Sequence, residues 1–447
     1  MILLAPKRAN RKYRNVLIEK PREIAARILM RHGSSRDYAE DLLDAELERS
    51  GLAGPDRGLL QELVYGVLRQ QAMLDWIIAQ KTNGREQKPA LQVLLRLGLY
   101  QMFCLDRIPD HAAVNETVEL AKLLGCGTQA GFVNAVLRNC LRDRALLETQ
   151  LAELEKTQPA LGYSHPAWLV ERWQARWGEE KLRQFLEWNN TPPRNHARVN
   201  LLRTKLDDLR QLWADEHVEV KMQSFAWATD LLIYELISHP PLANLGSFKR
   251  GCFYVQDPST LLAVTELDPQ PGETILDFCA APGGKTTLIA QRMENRGRIV
   301  AHEPAPERLD LVKENCARLG VTCVEAAAQL DPATCGLRFD RILVDAPCSN
   351  TGVLRRRLDL RWRIRPEEII RLRAAQLGIL ERVAPFLKPG GTLVYSTCSL
   401  EPEENGEVVK SFLASHPEFR LINERTLLPF VEKVDGAYVA ALDKRGD

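Results

Sequence analysis

Apolar residues recur at three- and four-residue spacing through the first third of the chain. Leu59, Leu60, Leu63, Val64, Val67 and Leu68 form one stripe, and Leu91, Leu94, Leu95, Gly98 and Leu99 another. That repeat is the mark of helices with one buried face. Pro55-Asp56 and Lys88-Pro89 stand where helices begin, and Gly125-Cys126-Gly127 separates one from the next. Residues 21–145 therefore read as an all-α bundle. Residues 146–257 read as a small mixed domain. A helical run carries Trp168, Trp173, Trp177 and Trp188 and ends at Thr191-Pro192-Pro193. A strand over 197–201, a helix over 205–217, further short strands and a break near Gly246 and Gly251 follow. At helical spacing the tryptophans are expected in a core rather than stacked on bases.

From Pro258 to the end, strands and helices alternate. Strands are expected at 274–278, 298–301, 341–344 and 391–396, with helices at 285–293, 306–319 and 367–387. Such alternation predicts a doubly wound, Rossmann-like α/β domain over 258–447, mainly parallel, with ligands at the carboxyl ends of its strands.

Composition narrows the class. With 447 residues, 45% apolar, 27% charged and a net charge of +1, the chain is long enough for several packed cores. No apolar run approaches the ~20 residues of a membrane span, and the run Met1 to Ala5 stops at Pro6-Lys7-Arg8. Ten cysteines are scattered with no C-x-x-C pair, which argues against a zinc ribbon or a secreted disulfide framework. A cytoplasmic monomer with reduced thiols, no metal and no membrane partner is expected. Residues 1–20 form a basic tail, with Lys7, Arg8, Arg11, Lys12 and Arg14. It reads either as a solvated arm or as a contact to phosphate.

The first chemical signal follows the strand Ile275 to Phe278. Cys279-Ala280-Ala281-Pro282-Gly283-Gly284-Lys285-Thr286-Thr287 combines small residues, for close backbone approach, with a helix N-terminus. The phosphate-loop pattern fails, since Cys279 stands where its first glycine belongs, and G-x-G-x-x-G is absent. Glu303, after the next strand, is placed to bind ribose hydroxyls. A Gly-rich turn and a ribose acid without pyrophosphate glycines suit S-adenosylmethionine, against some other Rossmann-type ligand.

The second signal is a pair of cysteines. Asp345-Ala346-Pro347-Cys348-Ser349 and Ser396-Thr397-Cys398-Ser399 each follow a predicted strand, at the end where the active crevice of such a sheet opens. A lone cysteine is most often a small buried hydrophobe. Two in strand-end loops, one beside an aspartate, point to chemistry. Methylation of a pyrimidine ring carbon needs a thiolate to add at C6 so that C5 becomes nucleophilic. From the residues alone either cysteine can be that nucleophile.

These motifs resemble the RNA cytosine-5 methyltransferases. The resemblance implies Cys398 as nucleophile, Cys348 as the aid to product release, and Asp345 as a contact to the base and to the methionine end of the cofactor. With Lys285 these form the implied catalytic set. The cofactor is implied at Cys279, Ala280, Ala281, Pro282, Gly283, Gly284, Lys285, Glu303 and Asp345. Arg107 to Glu116 and Gly131 to Arg138 are similar to the helical RNA-binding domain of the antitermination factor NusB. Arg198-Val199-Asn200 and Gln256-Asp257-Pro258-Ser259 look like the linker of the RsmB (Sun/Fmu) branch, which methylates 16S, small-subunit ribosomal RNA. The chain departs from that pattern at Ala327, where the family commonly has an adenine-binding acid. Adenine contact is thereby left to backbone, Gln329 or Glu325, or is weaker. Glu303 replaces a more usual Asp, and Ala437-Tyr438 stands for paired aromatics.

Arg355, Arg356, Arg357, Arg361, Arg363 and Arg365 surround the single acid Asp359 after the Cys348 loop, with Trp362 among them. They are expected to grip RNA phosphates around an extruded cytosine. Competing readings are a non-catalytic RNA-binding factor, a cytosine-5 enzyme for another RNA, and a methyltransferase for DNA or for a base nitrogen.

Overall fold

The computed structural model describes residues 20–35, 37–52, 54–330 and 338–446. The basic run from Lys7 to Arg14 lies outside the described residues, as does Cys335. Two compact units divide between Arg176 and Trp177. The first is wholly helical among its described residues, with helices of fourteen or sixteen residues at Pro21–Ser34, Gly54–Arg69, Pro89–Cys104, Asp110–Leu123 and Arg144–Thr157. Leu60, Leu63, Val64, Leu94, Leu95 and Leu99 of the two predicted stripes are fully buried. The run Ala167–Asn189 is not one helix, because Gly178 (φ 76°, ψ 174°) breaks it.

The second unit holds two sheets. Strands β1 (Asn195–Val199), β2 (Glu219–Gln223), β3 (Ile233–Ser238) and β4 (Phe253–Val255) form an antiparallel sheet in the order β2-β3-β1-β4. Strands β5 (Thr274–Phe278), β6 (Arg298–His302), β7 (Val324–Ala327), β8 (Phe339–Asp345), β9 (Leu387–Thr397), β10 (Phe419–Leu427) and β11 (Ala437–Lys444) follow. Their order is β10-β11-β9-β8-β5-β6-β7, with the five from β5 to β9 parallel. Side-chain alternation splits the core in two. Ile275, Ile299, Leu343 and Val394 face one helical layer, while Leu276, Val300, Ile342 and Leu393 face the other. The order reverses between β5 and β8, so a crevice opens at their carboxyl ends.

The antiparallel pair β10 and β11 lies outside the sequence-based expectation. β10 is an edge strand exposed along most of its length, and β11 is buried on both faces. Neither shows the apolar–polar alternation that marks a half-buried strand.

The two sheets are joined by buried polar side chains of the β1 end. Asn200 Nδ2 donates to the carbonyls of Gly251 and Leu319, both at 2.8 Å. The buried Arg198 donates to Gln291 Oε1 and Thr287 Oγ1, each at 3.1 Å. Removing Asn200 strands two buried carbonyls. Asn200→Ala is therefore expected to lower the stability of the second unit by about 1–3 kcal/mol. Urea unfolding checks this, and a wild-type midpoint would contradict it.

Candidate active site

Leaving β5, the chain turns through Cys279 (φ 67°) and Gly283 (φ 100°) into the helix Gly284–Arg292. A cavity of about 740 Å³ opens there, lined by Cys279, Ala280, Ala281, Pro282, Gly284 and Lys285 from this turn. Glu303, Asp345, Cys348 and Cys398 line it from the ends of β6, β8 and β9. Gly284 is required sterically, since a Cβ would sit 2.9 Å from Tyr254. Gly283, expected in the site, does not line the cavity. It turns the chain and packs against Val312, where a Cβ would lie 3.3 Å from the backbone.

Charge is concentrated on the floor. Lys285 Nζ and Asp345 Oδ2 pair at 2.6 Å, and Ser396 Oγ donates to Asp345 Oδ1 at 3.1 Å. Burial works against the lysine's charge, but Asp345, Asp277 and Cys398 hold its pKa above the ordinary value. Asp277 is fully buried. It accepts Thr286 Oγ at 2.5 Å on Oδ2, while Oδ1 has no partner. Burial, with Asp345 nearby, pushes its pKa up to about 7 against the pull of the Thr286 bond. Glu303 is 2% exposed and accepts the Ala305 N–H at 3.2 Å, with Arg308 at 3.4 Å. Neither Glu325 nor Gln329 is among the cavity's lining residues, and Glu325 is taken by Arg298 at 2.6 Å.

Adjacent parallel strands bring the two cysteines together. β8 and β9 run in register with Asp345 opposite Ser396, and Cys348 Sγ lies 3.2 Å from Cys398 Sγ. Asn350, in a left-handed conformation (φ 60°), accepts from Cys398 Sγ at 3.0 Å and donates to the Cys348 carbonyl at 2.7 Å. The hydrogen bond with Cys398, together with burial, pushes the Cys348 thiol well above its ordinary pKa. Burial also pushes Cys279 up to about 12, so it stays a neutral thiol on the wall. Gly352 lets the loops touch, because a Cβ there would lie 2.6 Å from the Cys398 carbonyl.

Glu404, unforeseen in the sequence, locks the two loops. Its fully buried carboxylate accepts from Ser349 N (2.8 Å), Gln376 Nε2 (3.0 Å), Ser399 Oγ (2.5 Å) and Ser349 Oγ. Ser349 and Ser399 are the residues that follow the two cysteines. The only sequence signal was a carboxylate six positions after Cys398, in Glu401-Pro402-Glu403-Glu404.

Two members of the arginine run, Arg355 and Arg361, are buried inside the protein and are not placed to grip phosphate. Arg355, 3% exposed, bonds Asp435 at 3.2 Å, lies 3.7 Å from Asp257 and stacks on Trp188 at 4.0 Å. Arg356 bonds Asp435 and Asp257 at 2.6 and 3.0 Å on the cavity wall. Arg361 is fully buried, donating to Asn190 Oδ1 and the Asn189 carbonyl at 2.9 Å each. Arg355 and Arg361 are internal ties, because the acids and amides that hold them come from distant segments. Arg357 is exposed at the cavity, while Arg363 is half-buried outside its lining.

Two outcomes follow from these burials. In Glu404→Gln the charge-assisted bonds become neutral and the serine hydroxyls facing the new amide NH2 must turn to accept, so stability should fall by about 1–2 kcal/mol in urea unfolding. A wild-type midpoint would show that the carboxylate ties nothing. Folding raises the Asp277 pKa from 3.8 to about 7. Its stabilisation is therefore full below pH 4 and lost as pH rises through 7. Asp277→Asn should gain on wild type by up to about 4 kcal/mol between pH 4 and pH 7, then level off. A pH-independent difference would contradict that.

Residues 264–443 match the family model described as 16S rRNA methyltransferase RsmB/F. Residues 19–142 match the NusB family, and residues 165–230 a ferredoxin-like domain of RsmF/B-like methyltransferases. A Bacillus subtilis protein named probable ribosomal RNA small subunit methyltransferase B is 36% identical, over 95% of this chain and 99% of that protein. A Vibrio cholerae ribosomal RNA small subunit methyltransferase B is 40% identical, over 87% and 90%. Among solved structures, PH0851 has a TM-score of 0.77 at 26% identity, over 96% of this chain and 100% of that one. A methyltransferase homolog from Pyrococcus horikoshii has a TM-score of 0.56 at 30% identity, over 64% and 97%. At this identity and coverage, the chain belongs to the RsmB/F family of 16S rRNA methyltransferases, with a NusB-family helical region and a ferredoxin-like domain ahead of the methyltransferase domain.

Proposed function

We propose that the chain methylates C5 of a cytosine in small-subunit ribosomal RNA, with S-adenosylmethionine as donor and Cys398 as the nucleophile at C6. The observation that carries this is the pair of thiols 3.2 Å apart, in one cavity with the Lys285–Asp345 pair. Methyl transfer to a nitrogen or oxygen lone pair needs no enzyme thiol. Transfer to a pyrimidine C5 does, because that carbon is a poor nucleophile until C6 is attacked.

The residues suit the donor. The buried Glu303 carboxylate matches two ribose hydroxyls, and the partnerless Oδ1 of Asp277 matches an ammonium group. The Ala280–Gly284 turn admits close approach of its backbone. When bound, S-adenosylmethionine supplies an electrophilic methyl group. Cys398, its proton lost to solvent in the open cavity, would add to C6 as thiolate, breaking the C5=C6 double bond, while Lys285, paired with Asp345, would hold its proton toward N3 as the ring gains charge. Cys348 keeps its own proton beside Cys398 during addition, as its raised pKa requires. C5 would then take the methyl group with S-adenosylhomocysteine as the leaving group, its proton would pass to a base, the C5–H electron pair would reform the C5=C6 bond, and Cys398 would depart as thiolate. Cys348, adjacent to that sulfur, serves this release.

Bisulfite sequencing of small-subunit RNA from cells with and without the gene tests the reaction. One cytosine should lose protection on deletion, and loss of none would sink the proposal. Cys398→Ala should abolish methylation and give no RNA adduct. Cys348→Ala should accumulate a protein–RNA complex that survives denaturing electrophoresis and vanishes in the double variant. Near-normal turnover in both single variants would reduce the pair to packing. Glu303→Ala should weaken donor binding by about 1–3 kcal/mol, and unchanged affinity in calorimetry would remove Glu303 from the donor site.

A further inference from the structure

We propose that a second cleft, beside the catalytic cavity, holds a nucleotide flanking the target cytosine in the same RNA strand. This rests on the RNA-methylation reading above. The cleft measures about 880 Å³, and Trp188, Arg194, His196, Lys221, Phe225 and Lys433 line it. That volume accommodates a nucleoside with its phosphate, within the ~300–1,000 Å³ of ordinary ligand sites. His196 lines both the cleft and the catalytic cavity, so the two share a wall. A strand that turns one base into the cavity must carry its covalent neighbour along that wall.

The lining is chemically suited to a single-stranded nucleotide. Phe225 is half-buried on the cleft wall, its ring 5.1 Å from that of Trp227 and 6.3 Å from that of His196, so a base entering the cleft meets aromatic side chains on which it can stack. Of the four cations that line the cleft, Arg355 is tied to Asp435 and Arg194 to Glu235, which leaves Lys221 and Lys433 against Glu432. Glu235 is already engaged by Arg194 at 2.8 Å and Gln223 at 2.9 Å. Lys221 and Lys433 are exposed, where a phosphate can reach them.

His196, only 6% exposed, has Nδ1 without a hydrogen-bond partner, and the indole N–H of Trp188 also has none. Both residues line the cleft. Burial holds the His196 pKa below its ordinary value. The imidazole on the shared wall is therefore neutral.

The test uses the full chain, a radiolabelled small-subunit rRNA transcript in filter binding, methyl incorporation, and calorimetry with S-adenosylmethionine. Lys221→Glu and Phe225→Ala should each weaken transcript binding about tenfold. They should raise KM for RNA similarly, with kcat within about twofold and donor affinity unchanged. In Lys221→Glu the slope of log Kd against log salt should fall by about 0.7, one phosphate contact on a single strand. If Phe225→Ala misfolds, the exposed Lys221→Glu decides alone. Wild-type affinity and salt slope in these variants, while the wild type binds and methylates, would overturn the cleft and leave the methylation reading standing. A wild type that neither binds nor methylates the transcript would overturn both.

Discussion

A carboxylate removed from water must be met by hydrogen-bond donors, and Glu404 is met by donors from both cysteine loops. Burial raises its pKa, and the bonds from Ser349, Ser399 and Gln376 pull against that rise. Those bonds form only when the loop after β8 and the loop after β9 lie side by side. One buried charge therefore couples the positions of two thiols that stand fifty residues apart in the chain. The same economy recurs a few residues away. Tyr395 donates to the Glu404 carbonyl at 2.6 Å, and Asn405 donates to the Ser399 carbonyl at 2.9 Å.

The parallel sheet supplies what such a tie needs. β5, β8 and β9 are neighbours in the sheet and run the same way, so their carboxyl ends deliver the Gly-rich turn, Asp345 and Cys398 to one crevice. Within it, electrostatics separates roles. Lys285 keeps its proton through Asp345, and Cys348 keeps its own through Cys398. Asp277 stands behind them as a buried acid with one free oxygen. The ferredoxin-like sheet reaches the crevice from the side through His196 and Tyr254, which places a second recognition surface against the first.

Much of this was legible in the sequence. The strands β5, β6, β8 and β9 announce themselves as short apolar runs between helical repeats, and the cysteines follow two of them. What stayed hidden depends on pairing across long separations. Arg355 and Arg361 look like a basic patch because only Asp359 is near in sequence. Asp257 and Asp435, which neutralise Arg355 and Arg356, lie about a hundred and about eighty residues away. Glu404 was hidden for the same reason, since nothing local distinguishes it from Glu401 or Glu403. β10 and β11 escaped because an exposed edge strand and a doubly buried strand both lack alternation.

The account turns on which sulfur attacks the base. The most direct measurement is to offer the full chain and S-adenosylmethionine a small-subunit rRNA transcript carrying 5-fluorocytosine, whose C5 cannot release a proton. The trapped complex is then digested with trypsin and nuclease, and the modified peptide is located by mass spectrometry. The RNA remnant is predicted on Cys398. A remnant on Cys348, or a transcript methylated with no trapped peptide, would contradict the account.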